Sequence, residues 1–368
     1  MTLASFPAKS ALAHALRQLA AGASLTAVET AAAFGVVMRG EATPVQVAAL
    51  LMGLRAKGEC AEEIAGAASA LRTAMVPFAT DRADELVDTC GTGGGSIGTI
   101  NVSTAAAFVV AGTGVPVAKH GNRSYTSRSG SADVLEALGV EIMLPPPRAV
   151  EVLREVGLVF LFAPSYHPAM RHVAPTRGEL GVPTIMNLVG PLANPGGVRR
   201  QVVGVSDRAR APLVAEALRS LGAAHALVVH GLVGMDEISP CGVTLVWEVR
   251  DGRVAEWTIE PAAFGLACDD LTPLAGGVPA ENAIRIERLL GGGGGSAMHR
   301  AGGIDPARAA VQLNAAAALY VAGRGLSFLE AVRCAGAALD DGRGAAALER
   351  LREAAPAVRA EADVSISE

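Results

Sequence analysis

Aromatic side chains are scarce in this 368-residue chain: Phe, Trp and Tyr make up 4% of it, although hydrophobic residues make up 51%. Its core must therefore be built from Ala, Val and Leu, of which Ala and Leu favour helix. The five cysteines (Cys60, Cys90, Cys241, Cys268, Cys334) stand singly, with no C-x-x-C pair and an odd total. That usage fits neither a disulfide framework nor a zinc cage and points to a reducing cytoplasm. Basic residues do not outnumber acidic ones; 31 Lys and Arg face 36 Asp and Glu, a formal net charge of −5, so no overall positive field favours nucleic acid or an anionic membrane. Long apolar runs are missing too, because the Ala- and Val-rich stretch 104–118 is interrupted by Gly112, Gly114 and Pro116, well short of a bilayer span. The N-terminus has no basic segment leading into an apolar one. These absences predict a globular cytoplasmic protein with no nucleic-acid partner and no membrane segment, and the length predicts two domains or one domain with an appended lobe.

What is present falls into two textures. Over residues 11–75 the pattern is helical: Val47, Leu50, Leu51 and Leu54 recur on one helix face, Thr43-Pro44 reads as an N-cap followed by proline at the first helical position, and the helix should end near Gly58. Near Glu85 the character changes, and the strand-like run 86–90 feeds directly into a glycine turn. Further strands are expected at 115–119, 159–162, 201–205, 226–230 and 244–249, with helices between the earlier ones, such as 210–221. This alternation predicts a largely parallel, helix-covered sheet, which binds ligands outside the carboxyl ends of its strands. The glycine-rich tract 291–303 predicts a surface loop before a helix over 307–322.

Four constellations carry chemistry. The first is Gly91-Thr92-Gly93-Gly94-Gly95 with Ser96, Thr99 and then Asn101-Val102-Ser103-Thr104 opening a helix. Glycines let a backbone approach a phosphate, and the amides and hydroxyls at a helix start supply donors and partial positive charge; no Walker or dinucleotide pattern is present. Second comes Lys119-His120-Gly121-Asn122-Arg123-Ser124, continuing through Ser127, Arg128, Ser129, Gly130 and Ser131, a density of cations and hydroxyls at a strand end that suits a polyphosphate. His120 is given no proton-transfer role, since a single histidine beside a strand is more often structural. Third, Asp236-Glu237 follows a strand and offers hard oxygen ligands of the kind magnesium takes together with substrate phosphates. The fourth runs from His167-Pro168-Ala169-Met170 through Arg171 to Arg177 and Glu179-Leu180-Gly181, where an arginine fork matches a carboxylate; physics alone does not separate Arg171 from Arg177.

Taken together these residues resemble the anthranilate phosphoribosyltransferase family. The likeness also covers Gly40-Glu41-Ala42-Thr43-Pro44, Leu54-Arg55-Ala56-Lys57-Gly58-Glu59, Gly190-Pro191-Leu192-Ala193-Asn194-Pro195 and Leu313-Asn314-Ala315-Ala316-Ala317, and so extends over nearly the whole chain. It implies an α/β fold of the nucleoside phosphorylase and phosphoribosyltransferase kind. A small helical domain over 1–82, with a returning helical segment at about 166–197, would join a larger α/β domain over 83–165 and 198–368 with a mainly parallel central sheet. The active site would lie in the cleft between them, and a homodimer would form through the helical lobe.

The resemblance further implies that Gly91, Thr92, Gly93, Gly94, Gly95, Thr99, Asn101, Val102, Ser103, Thr104, Lys119, His120, Gly121, Asn122, Arg123, Ser127 and Ser131 belong to the phosphoribosyl pyrophosphate site. Ser103, Asp236 and Glu237 would serve Mg2+, while Gly91, Asn122 and Arg177 would face anthranilate, which breaks the tie in favour of Arg177. The implied reaction is attack of the anthranilate amine on C1 of the ribose as pyrophosphate leaves, in tryptophan biosynthesis, with no covalent nucleophile and no acid or base residue.

Three departures from the family pattern stand out: Gly95 replaces a usual aspartate, Gly178 a common second arginine, and the tract 291–303 a shorter segment. At Gly95 either the missing acid loosens the magnesium–substrate complex, or a positive φ excludes a side chain. Two rival readings are a pyrimidine nucleoside phosphorylase of related fold, whose lysine-rich phosphate loop is not evident, and a non-catalytic nucleic-acid-binding paralogue, disfavoured by the net charge of −5.

Overall fold

The computed structural model describes residues 8–124, 128–291 and 304–357. Four helices come first: α1 (Ala8–Ala20), α2 (Ala27–Met38), α3 (Pro44–Lys57) and α4 (Ala61–Ala74). Local chemistry sets their limits. Thr43 accepts from the Gln46 amide and Gln46 accepts from the Thr43 amide, Pro44 holds the first helical position, and Gly58 ends α3. The apolar stripe Val47, Leu50, Leu51 and Leu54 is buried as its spacing requires.

A seven-stranded sheet follows, in the order β3-β2-β1-β4-β5-β6-β7. Its strands are β1 (Val87–Gly91), β2 (Val117–Gly121), β3 (Leu158–Phe162), β4 (Arg200–Gly204), β5 (His225–Gly231), β6 (Thr244–Arg250) and β7 (Arg253–Ile259). The first five are mutually parallel, whereas β5, β6 and β7 pair antiparallel. Strand β7 was not foreseen: it alternates polar with apolar residues at the sheet edge and stays largely exposed, so it lacks the apolar run that marks the buried strands.

Between β1 and β2 lies α5 (Val102–Gly112), whose Ala and Val side chains are buried on every face. Helices α6 (Ser131–Ala137) and α7 (Pro146–Val156) lead to β3, after which α8 (Ala163–Tyr166), α9 (Ala174–Leu180) and α10 (Met186–Val189) leave the sheet. These return onto the first four helices: α9 packs on α3 and α10 on α4, and the Arg72 Nε donates to Leu192 O at 2.7 Å. Helix α11 (Ala211–Ser220) joins β4 to β5, and α12 (Pro279–Leu290), α13 (Pro306–Val321), α14 (Phe328–Asp340) and α15 (Arg343–Ala354) close the chain.

The two faces of the sheet belong to different cores. Val203, Val228 and Val249 join the core of α1 to α4 and α11, while Val202, Leu227 and Val246 join that of α5 and α13. Alternation along a strand thus ties the helical layer directly to one sheet face. The chain runs from β1 outward to β2 and β3 on one side, and then crosses to β4 and β5 on the other. The resulting switch point, between the carboxyl ends of β1 and β4, is where sheets of this type hold ligands. Among the described residues no helix is long and apolar enough to cross a membrane.

Candidate active site

At the end of β1 the chain turns through Gly93 and Gly94, whose φ angles of +69° and +78° few other residues adopt readily. That turn suspends the glycine loop between two neighbouring loops. The Thr92 amide donates to Gly204 O at 2.9 Å, the Ser206 amide donates to Thr92 Oγ1 at 3.2 Å, and the Gly93 amide donates to Asp236 Oδ2 at 3.1 Å. Further on, the Ser96 hydroxyl donates to Gly234 O at 3.2 Å and Thr99 Oγ1 donates to Glu237 Oε2 at 2.9 Å. The acidic pair, remote in sequence, is in this way bound to both ends of the glycine loop.

Asn101 precedes α5 without capping it. Its side chain instead donates to Ser129 O at 3.1 Å and accepts from Ser129 Oγ and Asn282 Nδ2, so it ties the glycine loop to the segment before α6. Val102 is fully buried and Thr104 nearly so, with no hydrogen-bond partner for Thr104 Oγ1 among the described residues. Ser103 lies in the first turn, where its Oγ accepts from Lys119 Nζ at 3.3 Å; the same ammonium donates to Thr89 O at 2.5 Å. Burial pushes the Lys119 ammonium down, while Asp88 and Glu237 pull it back up.

A small cavity opens here, lined by Thr89, Ser103, Gly204, Asp236, Glu237 and Asn314. Burial, and then the charge of Asp236, push the Glu237 carboxyl up to about 8, although Thr99 and the Ser103 amide act the other way. Burial also raises Asp236. Two crowded carboxylates with raised affinity for protons have the electrostatics of a cation site whose cation is supplied from outside. Among the described residues no group of three or more His, Cys, Asp or Glu could enclose a metal. A hard ion held by Asp236 and Glu237 would therefore complete its shell with hydroxyl, water or phosphate oxygens, as magnesium does.

Other expected residues lie elsewhere. Lys119 and His120 are neighbours on β2 and point to opposite faces, so His120 packs its ring on His167, with centroids 5.1 Å apart. Burial is the main cause that pushes His120 down to about 3 and His167 to about 4, leaving both rings neutral. The Arg123 guanidinium already pairs with Glu136 at 2.5 Å and Asp133 at 3.2 Å, both on α6. Asn122 Oδ1 accepts from the Arg123 amide at 2.8 Å, and Gly121 allows Ser131 Oγ to approach to 2.4 Å of where a Cβ would stand. Arg177 is half-buried near the end of α9, on the helical side. The space beside Gly178 is open to a side chain. Ser127 and most of the tract 291–303 lie outside the described residues.

Gly95 corrects one expectation. Its φ is not positive; a Cβ there would instead stand 2.8 Å from Asp236 Oδ1. What the glycine accommodates is the carboxylate opposite, not a left-handed backbone. Three contributors were missed by sequence reading. Gly204 lets the Asp236 backbone pass where a Cβ would lie 1.6 Å from its carbonyl oxygen. Ser206 braces Thr92, and Asn314 exchanges hydrogen bonds with both backbone groups of Ile238, immediately after the acidic pair. The available signals were a glycine at a strand end and the asparagine of the motif Leu313-Asn314-Ala315-Ala316-Ala317, whose partner the sequence did not show.

Two family models match the chain: the helical bundle domain of a glycosyl transferase family over residues 13–75 and its a/b domain over 83–345. An anthranilate phosphoribosyltransferase of Rubrobacter xylanophilus is 50% identical over 340 residues, covering 92% of this chain and 96% of the relative. One from Xanthobacter autotrophicus is 48% identical, covering 91% and 94%. Among solved structures, the anthranilate phosphoribosyltransferase of Thermus thermophilus superposes with a TM-score of 0.85 at 43% identity, over 92% of this chain and 98% of that one. The Saccharomyces cerevisiae enzyme in complex with PRPP and Mg does so with a TM-score of 0.84 at 28% identity, over 94% and 98%.

Proposed function

This chain belongs to the anthranilate phosphoribosyltransferases, and we propose that its glycine loop and the start of α5 cradle phosphoribosyl pyrophosphate while Asp236, Glu237 and Ser103 hold magnesium beside it. The enzyme transfers the phosphoribosyl group of phosphoribosyl pyrophosphate to the amine of anthranilate, giving N-(5-phosphoribosyl)anthranilate and pyrophosphate, in tryptophan biosynthesis. The observation that carries the residue assignment is the convergence of Gly93, Thr99, Ser103 and Lys119 on Asp236 and Glu237. A carboxylate pair against a phosphate cradle makes sense only with a cation between the two anions.

Each group then has a task. Backbone amides of the glycine loop and the dipole of α5 bind phosphate oxygens. Lys119, fixed by Thr89 and Ser103, offers a positive charge that needs no rearrangement as the pyrophosphate gains charge. Magnesium, when bound, supplies further neutralisation of that leaving group. Arg177 and Asn122 orient anthranilate, with Gly91 at the junction of the two substrates, and water exclusion and alignment lower the remaining barrier. The lobes divide near residue 82, with 166–197 returning to the helical lobe; the packing of α9 on α3 supports this. A cytoplasmic homodimer through the helical lobe accords with its exposed apolar residues, Val28 at 62% and Val45 at 78% exposure.

Pyrophosphate release dependent on anthranilate tests the activity, and a magnesium titration tests the assignment. Replacing Asp236 with Asn and Glu237 with Gln keeps size and removes charge; activity should fall by roughly a thousandfold, the several kcal/mol expected of a lost metal contact. An unaltered magnesium titration in that double variant would sink the metal assignment.

A further inference from the structure

We infer that the buried ion pair between Glu59 and Arg210 is a positioning device for the phosphoribosyl pyrophosphate cradle, acting from the helical lobe through the loop after β4. Arg210 Nη2 lies 3.1 Å from Glu59 Oε2, with side chains 10% and 3% exposed. Glu59 belongs to the turn between α3 and α4, and Arg210 to the turn that enters α11. The pair therefore joins the α3–α4 turn to the loop after β4, beside the apolar contacts that already tie the two layers together. Arg210 Nε also meets Asp207 Oδ2 at 3.3 Å, and Asp207 in turn caps its own turn by accepting from the Ala209 amide at 3.0 Å.

That turn directly follows Ser206. The Ser206 amide donates to Thr92 Oγ1, its hydroxyl lies 3.5 Å from the same oxygen, and the Thr92 amide donates to Gly204 O. The route from Glu59 to Thr92 in the glycine loop thus runs through a hydrogen bond to Arg210, an ion-pair contact of Arg210 with Asp207, the backbone link from Asp207 to Ser206, and the hydrogen bond of the Ser206 amide to Thr92 Oγ1. The loop is held by the segment 234–237 on one side and the segment 204–207 on the other, and through Arg210 the second reaches the helical lobe.

Stability is a poor reason for the pair. Among the described residues Glu59 Oε1 is buried with no hydrogen-bond partner, and buried ion pairs are often replaced by apolar residues of similar volume at no loss. What a charge-assisted hydrogen bond supplies and an apolar pair does not is a fixed direction. The inference rests on the cradle reading above and adds the residues that hold the cradle in place.

The test replaces both partners at once, Glu59→Leu with Arg210→Met, so that no buried charge is stranded. Steady-state kinetics, calorimetric binding of phosphoribosyl pyrophosphate with magnesium, and a thermal melt are compared with the native chain and with Thr92→Val. The expected result is a retained melting temperature with the KM and dissociation constant for phosphoribosyl pyrophosphate raised about tenfold, within the usual range of coupling between sites, and the KM for anthranilate unchanged. Native values for both substrates in the folded double variant, or an equal rise in both KM values, would overturn the inference. Should Thr92→Val also bind phosphoribosyl pyrophosphate like the native chain, the cradle reading itself falls; impaired binding by Thr92→Val beside native binding by the double variant defeats only the positioning role. If the double variant does not fold, Arg210→Lys, which keeps the charge but loses the fork, takes its place with the same expected split between the two KM values.

Discussion

Glu237 and Glu248 are both drawn into the protein beside the sheet, and their carboxyls move in opposite directions. At Glu237, burial and the neighbouring Asp236 push the group up to about 8. Burial acts on Glu248 as well, but His225, Tyr320 and Trp257 outweigh it and hold the group below the usual carboxylate range. The distances explain the outcome: His225 Nε2 at 2.7 Å and Tyr320 Oη at 2.9 Å meet one oxygen, and Trp257 Nε1 donates to the other at 2.9 Å. Glu248 is a completed network that joins β5, β6, β7 and α13. Asp236 and Glu237 share one hydroxyl and the amides of Gly93 and Ser103 between two crowded carboxylates, and on the reading proposed above a cation and its substrate would complete them. Perturbation alone therefore does not mark function; the lack of internal compensation does.

The contrast breaks most readily at Gly204, which gives the Asp236 backbone its passage. Gly204→Ala should displace the acidic pair by the better part of an ångström or more and lower kcat/KM by about a hundredfold, with a stability loss of about 1–3 kcal/mol from overpacking. Kinetics together with a urea melt check both figures, and a fully active variant would show that the acidic loop need not lie where it does. Next in size is Arg177→Ala, expected to reduce kcat/KM for anthranilate by an amount equivalent to roughly 1.5–3 kcal/mol. Loss of phosphoribosyl pyrophosphate binding in its place would move Arg177 to the other substrate.

Glu248→Gln should cost about 2 kcal/mol of stability and leave kcat and both KM values as they were, sharpening the distinction between the two glutamates. Its sign with pH is set by the lowered native value: the Glu248 contribution is complete above the unfolded value near 4.5 and is lost as pH falls through the lower native one. Native and variant melting temperatures should accordingly converge in acid, and a gap that widened there would contradict the network. Smallest is Gly95→Asp, whose Cβ would stand 2.8 Å from Asp236 Oδ1, so that the Asp236 carboxylate must turn aside to admit a third acid beside it. The variant should bind the magnesium–substrate complex about threefold more tightly and be inhibited at lower magnesium, since added carboxylates strengthen a hard-cation site; an identical magnesium profile at equal melting temperature refutes this.

Much of the molecule was legible because its causes are local. Thr43, Pro44 and Gly58 delimit α3 through hydrogen bonds and backbone preferences within one helical turn, and the strand-like run 86–90 followed by glycines announces a buried strand and the glycine turn that ends it. The family motifs likewise carried the identity of the reaction. Side-chain parity on β2 was in principle available too: once residues 117–121 are a strand, Lys119 and His120 must face opposite ways. What composition and spacing did not contain was which residue meets which across the sheet. The order of strands brings Asp236 to Gly93, the antiparallel return of β6 and β7 completes the partners of Glu248, and α6 neutralises Arg123. Those pairings depend on distances between segments far apart in the chain, and so the position of Gly95 against a carboxylate, the passage at Gly204 and the different fates of two glutamates were decided only by the tertiary fold.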